Sequence, residues 1–144
     1  MSDGPLTVQQ MNREQIQERL LHSPFNALLD LEVVTADPEK REVVMRLKMR
    51  PEFERLAGSG QWHGGPIAAA IDIVGDYALA MLFGKPLPTI NLRVDYLRPG
   101  KDTLTLVARI RRSGKTVGLV DVDVLDEAGA LVALGRANYS TVTA

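Results

Sequence analysis

The chain has 144 residues, 45% of them hydrophobic and 24% charged, with a formal net charge of -1. That length suits one domain burying about two thirds of its unfolded surface, and the charge balance argues against nucleic acid or an anionic membrane as partner. With no cysteine and only two histidines, His22 and His63, disulfides, a thiol nucleophile and a zinc-thiolate or histidine-rich metal site are excluded, and no cofactor is expected.

Residues 1–8 read as a short flexible lead, and Met1 to Pro5 lacks a signal-peptide pattern. Asn12 followed by Gln15 resembles a capping box, and Met11, Ile16, Leu20 and Leu21 recur at helical spacing, so a helix is expected from Asn12 to His22, stopped by Ser23-Pro24. Strands are expected from Leu29 to Thr35 and from Glu42 to Met49, with Asp37-Pro38 as the turn between them. In the second, Val43, Met45, Leu47 and Met49 alternate with mostly polar residues, which gives one apolar face. Pro51 to Leu56 suits a short helical turn and Ala57 to Gly60 a loop.

Glycine turns at Pro99-Gly100-Lys101, Ser113-Gly114-Lys115 and Glu127-Ala128-Gly129 divide the last third into hairpin arms. Ile90, Leu92, Val94 and Tyr96 form one alternating set, Leu104, Leu106, Ala108 and Ile110 a second, and Val120, Val122 and Val124 a third. The pattern predicts an antiparallel meander with one buried face. Pro66 to Phe83 remains to cover that face, and it is apolar nearly all round, as a buried helix must be. The expected fold class is therefore α+β, a strongly curved antiparallel sheet wrapped around one long central helix, in a single domain over residues 1–144. No apolar stretch is expected to reach the roughly 20 residues of a bilayer span, and a cytoplasmic location follows as an expectation.

Chemistry concentrates in Gln61-Trp62-His63-Gly64-Gly65-Pro66 and the helix behind it. Proline is favoured at the first helical position, which puts Gly64 and Gly65 at the helix N-terminus, where backbone N–H groups lack intrahelical partners. Either a carbonyl oxygen that gains charge docks there against the side-chain-free backbone, or the glycines simply turn the chain into the helix. Asp72 and Asp76 are the only charged residues between Pro66 and Phe83, and four residues apart they share a helix face. Burying an unpaired carboxylate costs several kcal/mol, so such groups stand at a surface, an interface or a site. Asp72 is the stronger candidate for a site.

His63-Gly64-Gly65, with an acid nine residues beyond the histidine on the following helix, resembles the hot-dog-fold acyl-CoA thioesterases of the phenylacetate-pathway type. Ser23-Pro24-Phe25-Asn26, Tyr96-Leu97-Arg98-Pro99 and Gly135-Arg136-Ala137 extend the resemblance through most of the chain. It implies that the Gly64 N–H polarises a thioester carbonyl and that Asp72 acts as general base on water or as nucleophile. It also implies an acyl-CoA substrate and a homodimer or homotetramer with a site shared across the interface. Thr89, ten residues before Pro99, stands where similar enzymes carry a hydroxyl that holds the water, or is simply a strand-start threonine. His63 counts among the catalytic candidates, as a residue that fixes the loop or, less in keeping with its place, as an acid–base group; Gly65 reads as part of the substrate-binding turn, and Trp62 as a site-mouth residue or a core anchor.

Many relatives place Asn or Gln six residues before the histidine, where this chain has Ala57; Ser59 or Gln61 is the available substitute. Gly114-Lys115-Thr116 ends like a phosphate-binding loop, but the required earlier glycine is Arg109, so the segment reads as a hairpin turn. Arg111, Arg112 and Lys115 around it suit the phosphates of a CoA nucleotide or are solvated turn charges. The competing classes are a non-catalytic acyl-CoA-binding or sensing protein and a hot-dog dehydratase or hydratase. Met1 to Ser23 is too short for the DNA-binding helices a sensor needs, and the glycines after His63 favour the thioesterase pattern.

Overall fold

A computed structural model describes residues 9–142, so the lead expected over residues 1–8 lies outside the described residues. Helix α1 spans Arg13–Leu20. Its capping box is present: the Asn12 carboxamide oxygen accepts the Gln15 N–H at 2.9 Å, and the Gln15 side-chain oxygen accepts the Asn12 N–H at 2.8 Å. Met11, Ile16 and Leu20 are buried, but Leu21 caps the C-terminus and faces solvent.

Ser23-Pro24 ends α1 and also begins a second helix, α2, over Pro24–Leu29. The Ser23 hydroxyl accepts the Asn26 N–H at 3.3 Å, and Pro24 occupies the first helical position, which costs no hydrogen bond. The strand expected from Leu29 therefore starts later, after Asp30 turns the chain in the left-handed region (φ 53°), and β1 runs Glu32–Asp37. Gln17 of α1 docks this edge strand, donating to the Leu31 carbonyl at 2.9 Å and accepting the Val33 N–H at 2.7 Å. Strand β2 covers Glu42–Leu47, two residues shorter than expected, and a single 3-10 turn covers Pro51–Phe53.

The remaining elements are α3 (Gly64–Phe83), β3 (Thr89–Tyr96), β4 (Leu104–Ser113), β5 (Val117–Leu125) and β6 (Leu131–Ser140). One six-stranded antiparallel sheet has the order β1-β2-β4-β5-β6-β3. The expected meander holds for β4, β5 and β6 but not for β3, which pairs with the C-terminal strand β6 instead of its sequence neighbour β4. The central helix covers the middle of the sheet and is buried from Ile67 to Met81 on most sides. At 20 residues, α3 is long and apolar enough to cross a bilayer, which corrects the expectation that no stretch approaches that length. Most of it is buried within the sheet, as in the core helix of a globular protein.

Helix and sheet meet closely. A Cβ at Gly135 of β6 would lie 2.5 Å from the Ile71 Cγ2, and a Cβ at Gly75 would lie 2.5 Å from the Tyr139 hydroxyl. Strand β3 departs from the expected buried face, because Ile90, Leu92 and Tyr96 are exposed. It is an edge strand, and its alternation is broken by a bulge between Thr89 and Asn91.

Candidate active site

Pro66 is the third residue of α3, not the first, and His63 is the N-cap. Neither the first nor the third position has an i−4 carbonyl to lose, so proline costs nothing at either. The first four N–H groups of a helix have no intrahelical acceptor, and here they can be followed one by one. The His63 N–H donates to the Phe53 carbonyl at 2.8 Å. The Gly65 N–H donates to His63 Nδ1 at 2.8 Å, and Pro66 has no N–H. Among the described residues nothing accepts the N–H of Gly64. The imidazole thus closes the turn and leaves one donor, on the residue without a side chain, at the positive end of the macrodipole.

Tyr96 holds that residue from the other side. Its hydroxyl donates to the Gly64 carbonyl at 2.5 Å, and its ring lies 3.1 Å from where a Gly64 Cβ would stand. Burial pushes the Tyr96 hydroxyl above the ordinary tyrosine value, so it remains a protonated donor at neutral pH. Beside it opens a cavity of about 350 Å³ whose walls include Arg55, Trp62, Ile67, Tyr96 and Arg98.

Asp72 lies on the third turn of α3, about 12 Å along the axis from Gly64 at 1.5 Å per residue. Thr89 donates its hydroxyl to Asp72 Oδ1 at 2.7 Å. The β3 bulge explains the aim. Thr89 pairs with Tyr139, and beyond the extra residue Ile90 the helix-facing positions become Leu92, Val94 and Tyr96, opposite Ala137, Gly135 and Ala133. The Tyr139 hydroxyl donates to the Asp72 carbonyl at 2.6 Å and ties this turn of the helix to β6. Burial drives that hydroxyl far above the tyrosine range, so it too stays protonated.

Asp76, one turn on, accepts the Leu87 N–H at 2.7 Å. Burial, the largest cause, pushes its carboxyl up to about 7; the hydrogen bond to Leu87 pulls it down, and the Asp72 charge pushes it up. An unfolded aspartate titrates near ~3.9, so the folded state holds this proton more tightly. Its contribution to stability is complete below about pH 4 and is lost as pH rises through about 7. Asp76→Asn should therefore melt about 5 °C or more above wild type at pH 8, and the margin should close towards pH 4. Melting scans at both values check this, and a margin that widens on acidification would contradict it.

The other candidates divide. Trp62 is a core anchor that also walls the cavity: its indole stacks on Phe53 with centroids 5.7 Å apart, and its Nε1 donates to the Asp102 carbonyl at 2.7 Å. Ser59 and Gln61 lie in the loop before the helix, where the Gln61 N–H donates to Ser59 Oγ at 3.2 Å and Arg55 donates to the Gln61 side chain at 3.2 Å. Neither bonds to Gly64 or Asp72, and Ala57 is exposed. Arg111, Arg112 and Lys115 are not brought to the helix N-terminus. Their hairpin packs through Gly118 against Leu79, about 22 Å along α3 from Gly64 within one chain, and Arg111 pairs with Asp121 at 3.7 Å. The sequence shows Tyr96 as part of an alternating set and of Tyr96-Leu97-Arg98-Pro99 but not as a site residue, and it gives Tyr139 no signal.

A long buried helix wrapped by one antiparallel sheet, with β3 crossing to the far edge, defines the hot-dog fold. The chain belongs to the thioesterase superfamily, whose family model matches residues 59–133. Among curated relatives, the medium/long-chain acyl-CoA thioesterase YigI of Escherichia coli is 28% identical over 82% of this chain and 85% of its own length. The acyl-coenzyme A thioesterase PaaI of Escherichia coli is 29% identical over 75% of each chain. The solved zebrafish thioesterase superfamily member 2 shares the fold with a TM-score of 0.79 at 24% identity, covering 91% of this chain and 99% of the other.

Proposed function

We propose that the protein hydrolyses acyl- or aroyl-CoA thioesters to the free acid and CoA. The single observation that carries this reading is the Gly64 N–H, left without an acceptor by its neighbours at the head of α3. A donor fixed by the backbone stabilises the oxyanion that develops when a thioester carbonyl is attacked. The attacking group is either water, with its proton taken by Asp72, or the Asp72 carboxylate itself, whose acyl adduct water then cleaves. Either way a C–O bond forms, the C–S bond breaks, and CoA leaves as the thiol after gaining a proton. Thr89 spends its hydroxyl proton on Asp72, so its lone pairs face outward to receive the proton of a bound water.

The separation of about 12 Å along α3 keeps Gly64 and Asp72 of one chain from acting on one carbonyl. A second copy that brings its Asp72 to the Gly64 of the first removes the difficulty. The exposed edge strand β3 and the residue after it, with Ile90, Leu92, Tyr96 and Leu97 uncovered, form the surface such a copy would take. We therefore expect a homodimer, or a tetramer built from it; a monomer by light scattering at micromolar concentration would refute the shared site.

Ala57, where many relatives carry Asn or Gln, favours a second reading, a protein that binds acyl-CoA without turning it over. A thiol-release screen over short, medium, long and aromatic acyl-CoAs separates the two. Turnover of any of them supports hydrolysis, and saturable binding without thiol release supports the second reading.

A further inference from the structure

Asp76 has no part in the reaction as just described, yet a carboxylate on a buried helix costs free energy that its surroundings must offset. Its hydrogen-bond partner is unusual in kind. The segment that returns the chain from α3 to β3 reads Gly84-Lys85-Pro86-Leu87-Pro88, and neither proline has an N–H. Leu87 therefore carries the single main-chain donor of Pro86-Leu87-Pro88, and Asp76 accepts it at 2.7 Å. The Leu87 side chain is buried, so the donor is held at the core surface and not released to solvent. On the far side the Pro88 carbonyl accepts the Ser140 N–H of β6 at 2.8 Å. Thr89 follows at once, and its hydroxyl meets Asp72 at 2.7 Å, one helical turn before Asp76.

We propose that Asp76 is a positioning residue that fixes Leu87, and through it Thr89, so that the Thr89 hydroxyl stays on Asp72. Helix α3 thus holds the end of the return segment and the first residue of β3 with carboxylates on one face: Asp76 sets the backbone and Asp72 receives the side chain. Removal of the Asp76 acceptor orphans a buried N–H, and the segment relaxes towards another partner. A shift of about 1 Å at Thr89 is enough to lower turnover between tenfold and a hundredfold. Because the function of Asp76 here is to accept a hydrogen bond, the neutral amide of asparagine performs it as well.

This inference rests on the hydrolytic reading of Asp72 and Thr89, and the test separates the two. Turnover of decanoyl-CoA is measured for the full chain and for Asp76→Ala, Asp76→Asn, Thr89→Ala and the Asp76→Ala/Thr89→Ala double variant. Asp76→Ala should lower kcat about tenfold or more with KM within about twofold, and Asp76→Asn should recover most of the loss. The double variant should turn over no more slowly than Thr89→Ala alone, since the effect passes through Thr89. If Asp76→Ala fails to fold, Asp76→Leu, of similar volume but without an acceptor, carries the same expectations. Additive losses in the double variant, or an Asp76→Asn as slow as Asp76→Ala, would overturn the positioning role while leaving the hydrolytic reading intact, provided Asp72→Asn is slower still than Asp76→Asn. A fully active Asp72→Asn would overturn both.

Discussion

Asp72→Asn should lower kcat by about a hundredfold or more with the fold intact. The amide cannot take a proton from water and is a poor nucleophile, so either role of Asp72 is lost. Its oxygen can still accept from Thr89, whose hydroxyl lies 2.7 Å from Asp72 Oδ1, and its backbone carbonyl still accepts from Tyr139 at 2.6 Å. The variant therefore removes chemistry without removing a support, and its melting temperature should stay close to wild type. Steady-state thiol release from the best acyl-CoA of the screen gives the result. Near-wild-type turnover would remove Asp72 from the mechanism. Asp76→Asn is the internal control: it lies on the same helix face one turn away, and an equal loss there would mean that the reacting carboxylate had been misassigned.

Gly64→Val should nearly abolish hydrolysis, and Gly64→Ala should be milder. Gly64 is not among the residues with positive φ, so a side chain brings no backbone strain there. The obstacle is local, because a Cβ would stand 3.1 Å from the Tyr96 ring. Alanine asks the ring to give by a few tenths of an ångström. Valine asks for more, displaces the phenol from the Gly64 carbonyl, and fills the space in front of the one N–H that its neighbours leave unused. Turnover and melting temperature are read together. A Gly64→Val enzyme with normal turnover and normal melting would show that this glycine neither meets the substrate nor shapes the turn.

Local patterns were legible in the sequence wherever a residue's role is settled within a few positions. Asn12 and Gln15 announce the α1 cap, and the apolar run after Pro66 announces the buried helix. The offset from His63 singled out Asp72, and Thr89 does meet it. Three things were lost, the last two because other parts of the chain decide them. Pro24 reads as a stop, but with Ser23 as cap it also starts α2, which moves the first strand. Alternation cannot say which neighbour a strand will choose, so β3 looked like the next arm of a meander when its partner is β6. The bulge at Ile90 puts Thr89 and Leu92 on the same face although their spacing is odd, and no single-residue signal encodes it. The site roles of Tyr96 and Tyr139 went unread for a related reason, since each is defined by the helix atom its hydroxyl reaches.

The pairing of β3 has a consequence for how activity arises. The side chains of Asn91 and Asn138 bond to each other across β3 and β6 although they stand 47 residues apart in sequence. Closing so long a loop is slow and entropically costly, whereas β4, β5 and β6 can zip together through short turns. Thr89 reaches Asp72 only when β3 has docked on the last strand. If turnover needs that contact, it should report the docking of β3: in a refolding experiment, recovered turnover should lag the recovery of helix signal and coincide with closure of the β3–β6 pair.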